Sequence, residues 1–224
     1  MTKIPVVQQI LSANDAIADE NRAALDAAGA LGVNVMASPG AGKTSLILAT
    51  AARLPAGLRL AVIEGDVAGR IDADAMAAAG IPVVQINTGG GCHLDAPMVR
   101  SALPHLLPDG VDMLMIENVG NLICPAGFAL GTHVNLVVAS TPEGHDKPYK
   151  YPSMFAAADV VTLNKADVAA VFDFDFDAFQ RGVRMVNPAA PIFVISCRTG
   201  EGVNAWVDWL TAQHAVMPRP PKHS

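Results

Sequence analysis

The stretch that decides the fold reads ASPGAGKTS and spans residues 37–45. A Walker A loop, or P-loop, has glycines that permit a tight turn, so that backbone N–H groups point at phosphate oxygens. Its lysine reaches the outer phosphates, and the Ser or Thr that follows binds Mg²⁺ through its hydroxyl. Ala37 stands where the consensus has glycine, but an apolar run before the loop and LILAT after it supply the required strand and helix. The expected nucleotide-binding residues are Gly40, Ala41, Gly42, Lys43, Thr44 and Ser45.

Short apolar runs alternate with helical stretches along the rest of the chain. A continuous apolar run is typical of a strand that is buried on both faces of a parallel sheet. Alternation of such strands with helices, including residues 95–107 and 203–213, predicts an α/β domain with crossover connections. With the P-loop, this pattern predicts a P-loop NTPase: a three-layer sandwich with a mainly parallel sheet. The seven predicted strands are VNVMAS, LAVIEG, PVVQIN, MLMIEN, NLVVAS, DVVTLN and IFVIS.

The composition excludes several classes of protein. A net charge of −6 argues against a general nucleic-acid binder, because phosphate contacts need a basic surface. No apolar run approaches the roughly 18–20 residues that span a bilayer, and MTKIPVVQQILSANDA shows no secretory signal. Three cysteines, an odd number, argue against a disulfide framework and leave metal or thiol chemistry open. We therefore expect a cytoplasmic globular protein without a nucleic-acid or membrane partner.

A second nucleotide signal, NKAD, follows the sixth predicted strand. In an N-K-x-D sequence the aspartate accepts hydrogen bonds from the guanine ring N–H and exocyclic amine. Adenine lacks this donor pair, so ATP would leave the carboxylate unpaired. NKAD alone is a weak match, but one strand later ISCRTGEG provides the second loop that usually contacts the base. The two loops and the P-loop together predict GTP rather than ATP, bound through Asn164, Lys165, Asp167, Ser196 and Cys197.

Acidic residues at strand ends are candidates for magnesium binding and catalysis. Asp66 and Glu117 lie at the ends of predicted strands on the same side as the P-loop, where they would support Thr44 around Mg²⁺. Glu117, with Gly120 three residues later, resembles the acidic-x-x-Gly element that senses the γ-phosphate. Asp72 is our candidate for orienting the attacking water; the alternative interpretation is the N-cap of the helix that follows. We expect Lys43, Asp72 and Glu117 to be the catalytic residues.

Two cysteines and a histidine follow the third and fourth predicted strands. Cys92 and His93 come after three glycines in NTGGGCHLD, and Cys124 lies in NLICPAG. Because the carboxyl ends of parallel strands share one edge, both groups should lie beside the nucleotide. Two thiolates and an imidazole form a partial ligand shell for Ni²⁺ or Zn²⁺. The alternative is that both cysteines are merely small buried residues. The glycines 89–91 would let the Cys-His pair move.

Nothing in the sequence divides the chain into smaller units. No internal repeat or linker is visible, so residues 1–216 are predicted to form a single GTPase domain. It begins with a helical segment at about residues 5–29, where apolar residues recur at helical spacing; this helix is either continuous or broken near Asn14. The last residues, MPRPPKHS (217–224), are proline-rich and polar, which predicts a disordered tail.

Longer stretches of the sequence resemble the hydrogenase nickel-incorporation GTPases, the HypB family, over about residues 5–213. The pairing of GCHLD with ENVGNLICP is much more specific than the P-loop. The stretches that carry the resemblance are SPGAGKTSL, EGDV, QINTGGGCHLDAPMV, IENVGNLICPAGFALG, EGHDKPYKYPSMFAAADVVTLNKADV and SCRTGEGVNAWVDWL.

The resemblance implies a function, a fold subclass and partners. It implies a SIMIBI-type GTPase of low turnover that forms a homodimer with GTP and assists nickel insertion into [NiFe] hydrogenase. Cys92, His93 and Cys124 would bind metal at the dimer interface, and Lys147 would reach the nucleotide of the partner subunit. The implied partners are a hydrogenase maturation chaperone and the precursor of the hydrogenase large subunit.

Other readings of the sequence remain open. Some family members carry an N-terminal cysteine motif or a histidine-rich tract, whereas residues 1–91 contain neither residue type, so we expect only the interface metal site. The protein could be a sister metallochaperone GTPase for urease. It could also be a GTP-regulated zinc-binding adaptor whose metal only holds a dimer together. The same ligands bind Ni²⁺ and Zn²⁺, so the sequence does not separate these readings.

Overall fold

The computed structural model describes residues 6–67 and 69–218, with side chains from residue 11 onward. Its centre is a seven-stranded sheet with the strand order β3-β2-β4-β1-β5-β6-β7, in which every pair of neighbours is parallel. Each strand overlaps one of the seven apolar runs, which confirms the predicted strands and the parallel sheet. The strands are β1 Leu31–Ala37, β2 Leu60–Asp66, β3 Val83–Asn87, β4 Met113–Glu117, β5 Val134–Ser140, β6 Val160–Asn164 and β7 Ile192–Val194.

Helices cover both faces of this sheet. On one face, the packing of α2 and α8 buries a cluster that includes Leu46 and Trp206. On the other face, α1 and α4 contribute Leu25 and Val99 to a second cluster, and α6 contributes Phe155 to a third. The three layers confirm the predicted α/β sandwich with a parallel sheet. The helices are α1 Val6–Ala28, α2 Lys43–Ala51, α3 Ile71–Ala78, α4 Ala96–Ala102, α5 Lys147–Lys150, α6 Pro152–Ala156, α7 Phe176–Val186 and α8 Val203–Ala215.

The N-terminal helix α1 runs through Asn14 without a break. The Asn14 side chain is buried; its amide donates to the Ala129 carbonyl (2.9 Å) and its oxygen accepts from the Ala96 N–H (2.9 Å). Asn14, near which the sequence allowed a break, therefore links α1 to the start of α4 and to the chain before β5. Its partners lie 82 and 115 residues away.

The second predicted helix, at residues 95–107, is shorter in the structure. It begins as expected, because Asp95 caps α4 by accepting from the Met98 N–H (2.9 Å). It ends at Ala102, and two 3₁₀ turns follow, at 103–105 and 107–109. Pro104 and Pro108 lie at the starts of these turns, and proline ends an α-helix because it has no N–H to donate.

The C-terminal part of the chain is described to residue 218. Helix α8 ends at Ala215, and Met217 still packs against the core cluster that α8 helps to form. Of the predicted disordered tail, residues 219–224 lie outside the described residues. Within the described ranges, no helix combines the length and the apolar character needed to cross a membrane.

Candidate functional site

The P-loop has the backbone geometry that its glycines predict. Gly40 and Gly42 have φ angles of +78° and +101°, in the left-handed region that favours glycine. A Cβ on Gly42 would lie 2.4 Å from Nδ2 of Asn164, so the base-binding strand closely approaches this turn. Helix α2 starts at Lys43, which places a helix N-terminus and its free N–H groups at the loop. Ala37 is the fully buried last residue of β1, so the departure from the consensus lies in the strand.

The predicted base-binding residues surround the same loop. Asn164, at the end of β6, donates to the Ala41 carbonyl (3.1 Å) and accepts from the N–H groups of Lys165 (2.8 Å) and Cys197 (3.1 Å). Lys165 has a left-handed φ of +60° and donates through Nζ to the Gly40 carbonyl (2.7 Å). NKAD, the P-loop and the ISCRTGEG loop are therefore joined into one hydrogen-bonded unit.

Asp167 carries the carboxylate that would read guanine. Ser196 Oγ donates to its Oδ1 (2.6 Å) and Arg198 Nε donates to its Oδ2 (2.7 Å). The hydrogen bond from Ser196, and then that from Arg198, hold the pKa of Asp167 below its usual range, which keeps the carboxylate ionised as an acceptor. The adjoining cavity of about 280 Å³ is lined by Ser45, Asn164, Lys165, Asp167, Val168, Cys197 and Arg198. Burial raises the pKa of Cys197 to about 11, so it presents a neutral thiol.

Glu117, at the end of β4, faces the start of the P-loop helix. Thr44 Oγ1 donates to its Oε1 (3.0 Å), and Lys43 Nζ lies 3.9 Å from the same oxygen. Glu117 is only 3% exposed, and burial raises its pKa to about 7. Three residues later, a Cβ on Gly120 would lie 3.0 Å from the backbone of Pro39, so the acidic-x-x-Gly element packs directly on the P-loop.

A second buried carboxylate, Glu64, lies beside Glu117 and was not among the predicted site residues. The register of β2 and β4 places Glu64 next to Glu117. Burial, and then the charge of Asp66, raise the pKa of Glu64 to about 7. Oε2 of each glutamate has no hydrogen-bond partner within the described ranges. The only signal in the sequence was that Glu64 lies two residues before Asp66, on the same face of a strand.

The other two predicted acids lie at the same edge. Asp66 accepts from the N–H groups of Val67 (2.6 Å) and Gly69 (2.9 Å), so its carboxylate closes the turn after β2. Asp72 lies in the first turn of α3, whose N-cap is Arg70. The N-cap interpretation of Asp72 is therefore wrong, because the helix begins at Ile71, two residues earlier than that interpretation requires. The charge of Asp72 contributes to the raised pKa values of both buried glutamates, so it lies within electrostatic reach of them.

Cys92, His93 and Cys124 meet in space, although 32 residues separate the two cysteines. Their ligand atoms lie within 4.8 Å of one another; the two Sγ atoms are 3.0 Å apart, and Cys92 Sγ is 3.5 Å from His93 Nδ1. Burial lowers the pKa of His93, which favours the neutral imidazole that binds metal. Cys92 is exposed and Cys124 half-buried, so the interpretation of both as buried small residues is wrong.

The three glycines that precede this cluster differ in backbone conformation. Gly89 and Gly90 have φ angles of +61° and +103°, whereas Gly91 does not have a positive φ. A Cβ on Gly91 would lie 3.3 Å from Cβ of Thr88, whose hydroxyl donates to the Gly91 carbonyl (2.8 Å). Two of the three positions therefore use the backbone freedom of glycine, and Gly91 is fixed by Thr88.

Two asparagines of the ENVGN stretch tie the Cys-His loop to the nucleotide loops. The Asn121 N–H donates to the Ala37 carbonyl (2.8 Å), while its side chain donates to the Cys92 carbonyl (3.2 Å) and accepts from the Ile123 N–H (2.8 Å). The buried Asn118 accepts from the Leu94 N–H (3.0 Å). The loops that carry Cys92 and Cys124 are thus both hydrogen-bonded to Asn121, one residue after the glycine that packs on the P-loop.

Lys147 and His145 lie away from the pocket of their own chain. Lys147 is the first residue of α5, with Nζ 5.7 Å from the centre of the Tyr151 ring, and it is not among the residues that line the base cavity. His145 accepts from the Asp175 N–H (3.4 Å) and packs edge-on against Phe174, which is a structural role.

Two polar residues of the nucleotide edge were quoted in the sequence motifs without a role. Arg198 pairs with Asp167, as described above. Glu143, in the EGHDKP stretch, accepts from Ser38 at the start of the P-loop and from Ser140 at the end of β5 (2.7 Å). The motifs pointed to the correct loops, but the partners of these side chains depend on the arrangement of the strands.

The P-loop, the NKAD pocket and the order of the parallel strands define a P-loop nucleotide-binding domain. A family model described as the CobW/HypB/UreG nucleotide-binding domain matches residues 32–194. A curated relative, the hydrogenase maturation factor HypB of Azotobacter vinelandii, is 47% identical over 214 residues, covering 96% of this chain and 71% of the relative. The chain belongs to the CobW/HypB/UreG family and, within it, to the HypB proteins.

The fold is also shared with solved structures of this family. The crystal structure of HypB from Helicobacter pylori in complex with nickel superposes with a TM-score of 0.87 at 36% identity, covering 94% of this chain and 99% of that one. A Helicobacter pylori relative is described as a hydrogenase/urease maturation factor and is 38% identical over 92% of this chain and 86% of its own length. Both similarities extend over nearly the whole chain rather than over the P-loop alone.

Proposed function

We propose that this protein is a GTP-hydrolysing metallochaperone that binds nickel and assists its insertion during the maturation of [NiFe] hydrogenase. The observation that carries this proposal is the position of the Cys92, His93 and Cys124 cluster, one hydrogen-bonded residue away from the nucleotide loops. A metal site of this kind beside a P-loop supports a protein whose metal binding responds to the nucleotide. The HypB relatives named above are described as hydrogenase maturation factors.

The nucleotide is GTP, read by Asp167. Its carboxylate is ionised and lines the cavity, and a carboxylate at this place matches the paired donors of guanine and leaves adenine without a partner. Asn164 and Lys165 hold the wall of the pocket, while Ser196 and the backbone of Cys197 fix the second loop. Gly40, Gly42 and the N-terminus of α2 receive the phosphates.

Hydrolysis uses Lys43, Asp72 and Glu117. Lys43 neutralises charge on the outer phosphates, and Asp72 orients the attacking water from the first turn of α3. Mg²⁺, which would neutralise charge on the transferred phosphoryl group, would be held by Thr44, Glu117 and Asp66. The residues fit this ion: the hydroxyl of Thr44 already contacts Glu117, and one buried oxygen of Glu117 has no partner within the described part of the chain.

The metal that the cluster carries is the cargo. Thiolate and imidazole ligands suit Ni²⁺ and Zn²⁺ alike, and three ligands are one fewer than the four of a typical structural zinc site. A second copy of the chain would complete the coordination, which supports a homodimer with the metal at its interface. Lys147 would then reach the nucleotide of the partner subunit.

Nucleotide state and metal affinity are coupled through the ENVGN segment. GTP would order the loops after Asp66 and Glu117, as the γ-phosphate orders switch segments in other GTPases. Asn121 would pass this change to Cys92 and Ile123, to which it is hydrogen-bonded. Any such coupling of binding free energies is reciprocal, so metal must change nucleotide affinity by the same factor.

The proposed partners are a hydrogenase maturation chaperone and the precursor of the hydrogenase large subunit, in the cytoplasm. Urease is a second candidate client, because one Helicobacter pylori relative is described as serving both enzymes. The alternative is a GTP-regulated adaptor whose zinc ion is structural. Such a protein would not deliver nickel to a client enzyme.

Complementation tests the proposal. The gene would be expressed in a bacterial strain that makes both hydrogenase and urease and lacks its own relative of this protein, in medium with limiting nickel. We expect wild type and His105→Ala, which changes an exposed histidine outside the site, to restore hydrogenase activity, and Cys92→Ala to fail unless nickel is added in excess. Restoration of urease alone would make urease the client. Equal restoration by Cys92→Ala at limiting nickel would contradict nickel delivery.

A further inference from the structure

The strands beneath the P-loop helix carry a row of alternating side chains that ends in two carboxylates. Apolar members of this row are buried in the core cluster under α2. Because side chains alternate along a strand and paired residues of neighbouring strands point to the same face, the last members lie on the α2 face as well. The row consists of Leu60, Val62 and Glu64 on β2, opposite Met113, Met115 and Glu117 on β4.

Two buried carboxylates side by side need positive charge or donors. Glu64 is 2% exposed and Glu117 is 3% exposed, and Oε2 of each has no hydrogen-bond partner within the ranges that the structure describes. Lys43 is the cation near the pair, and its Nζ lies 3.9 Å from Glu117. A single ammonium group leaves the pair with excess negative charge, and burial of an unpaired carboxylate is strongly unfavourable.

The neighbours of Glu64 on the other side fill this need only in part. Gln85, its partner on β3, donates its side-chain amide to the Gly69 carbonyl in the turn after β2 and is close enough to Glu64 to lower its pKa through a hydrogen bond. Asp66, the next acid on β2, adds negative charge near Glu64 and so raises its pKa rather than compensating its charge. Oε2 of Glu64 still has no hydrogen-bond partner within the described ranges, and the pairing of β2 with β4 puts Glu64 beside Glu117, on the face where Thr44 and Lys43 begin the phosphate-binding helix.

We propose that Glu64 is a positioning residue for the magnesium ion of the bound nucleotide, acting beside Glu117 as an acceptor for the water molecules of the ion. Mg²⁺ in nucleotide sites keeps several of its waters, and acceptors behind the first shell orient those waters and strengthen metal binding. This role rests on the proposed guanine-nucleotide function and adds a residue to it. A purely structural Glu64 would affect folding but not the magnesium dependence of nucleotide binding.

The test is the release of a fluorescent GDP analogue from the full-length protein as a function of free Mg²⁺. Glu64→Gln keeps the size of the side chain and removes the charge. We expect the Mg²⁺ concentration for half-maximal retention to rise about tenfold or more, the range seen for residues behind a metal ligand, while GDP affinity in EDTA stays unchanged. Direct Mn²⁺ titration by electron paramagnetic resonance should show the same loss of metal affinity. Glu20→Gln, an exposed acid on α1 that pairs with Arg100, is the matched control and should behave as wild type.

The outcomes separate the two proposals. A folded Glu64→Gln with the wild-type magnesium midpoint would overturn the role of Glu64 and leave the proposed function intact. Wild type that retains no GDP at any Mg²⁺ concentration would instead contradict the guanine-nucleotide function itself. If Glu64→Gln does not fold, Glu64→Asp decides, because its shorter carboxylate should also raise the Mg²⁺ midpoint, and an unchanged midpoint would overturn the proposal.

Discussion

The base pocket and the Cys-His cluster lie at the same edge of the sheet but differ in how completely one chain builds them. In the pocket, the side chain of Asn164 is bonded to three backbone groups, and both oxygens of Asp167 have donors. In the cluster, the ligand atoms of Cys92, His93 and Cys124 contact mainly one another, and Cys92 is exposed. The pocket residues are held by hydrogen bonds from the rest of the chain, whereas the metal-ligand atoms of the cluster are more exposed and less constrained, as expected if a second chain completes the proposed site.

This difference implies that the two regions have unequal parts in a switch. A preorganised pocket spends little of its binding energy on its own rearrangement. The cluster is held through Asn121, whose backbone bonds to the end of β1 and whose side chain bonds to Cys92 and Ile123. We expect the nucleotide to act on the fixed region and the metal site to respond.

The largest expected effect is on GTP hydrolysis, from a substitution of the P-loop lysine, Lys43. Lys43→Ala should reduce the rate of GTP hydrolysis by about 10³-fold, because a charge that stabilises the developing transition state is lost. The apo-protein should remain folded by circular dichroism. Lys150→Ala removes an exposed lysine that pairs with Asp146, and this variant should hydrolyse GTP normally. If Lys43→Ala hydrolysed GTP at the wild-type rate, the P-loop assignment would be wrong.

The next effect separates the metal site from the third thiol. Cys92→Ala and Cys124→Ala should each weaken nickel binding about 100-fold or more, since each removes one of three ligands. Isothermal titration calorimetry on the nucleotide-free protein measures this. Cys197→Ala, which alters only the thiol in the base loop, should bind nickel as wild type does. Equal affinity in all three variants would place the metal elsewhere.

The third prediction tests whether the pocket reads guanine. Asp167→Asn removes the charge and replaces one of the two acceptor oxygens opposite the guanine N–H groups by an amide donor, which should weaken GDP binding by about 10²-fold and reduce the preference for GDP over ADP. Glu201→Gln, an exposed acid in the second base loop, is the control. Equal affinities of wild type for GDP and ADP in competition with a fluorescent nucleotide would contradict the role of Asp167.

The smallest effect comes from the buried glutamates. Burial raises the pKa values of Glu64 and Glu117 from 4.5 to about 7. Between pH 4.5 and 7 the folded state binds more protons than the unfolded state, so stability is present at low pH and is lost as pH rises through about 7. We expect nucleotide-free protein to lose about 1 kcal/mol per group between pH 6 and 8, a decrease of a few degrees in Tm. Glu64→Gln should flatten this dependence; a Tm that rises over the same interval would contradict it.

The sequence predicted the local elements of this fold well, because each is encoded within a short window. The seven apolar runs, the glycines at 40 and 42, and NKAD all appear where the structure uses them. The sequence does not decide whether helix α1 is continuous or broken near Asn14, because the hydrogen-bond partners of Asn14 lie far along the chain. The sequence allowed Asp72 to be either a catalytic residue or an N-cap, because the first residue of a helix is hard to locate from sequence.

The site residues that the sequence did not reveal have another explanation in common, which is that their roles depend on partners from other strands. Glu64 becomes a site residue only when the register of β2 and β4 places it beside Glu117. Arg198 acquires its role through Asp167, and Asn121 through Cys92; each partner comes from a different strand end. Single-sequence reasoning finds the residues of a motif, but it does not supply the pairing between strands that completes the site.

The most direct test of the central claim is the nickel affinity of the protein in its two nucleotide states. Wild type and Asn121→Ala would be titrated with Ni²⁺ in the presence of GDP and of a non-hydrolysable GTP analogue, and the oligomeric state would be followed by light scattering. We predict that the two nucleotides change the nickel affinity of wild type by about tenfold, a coupling within the usual range, and that Asn121→Ala loses most of this difference while still binding both ligands. Identical nickel affinity of wild type with both nucleotides would contradict a switched delivery site and leave a GTPase with a structural metal.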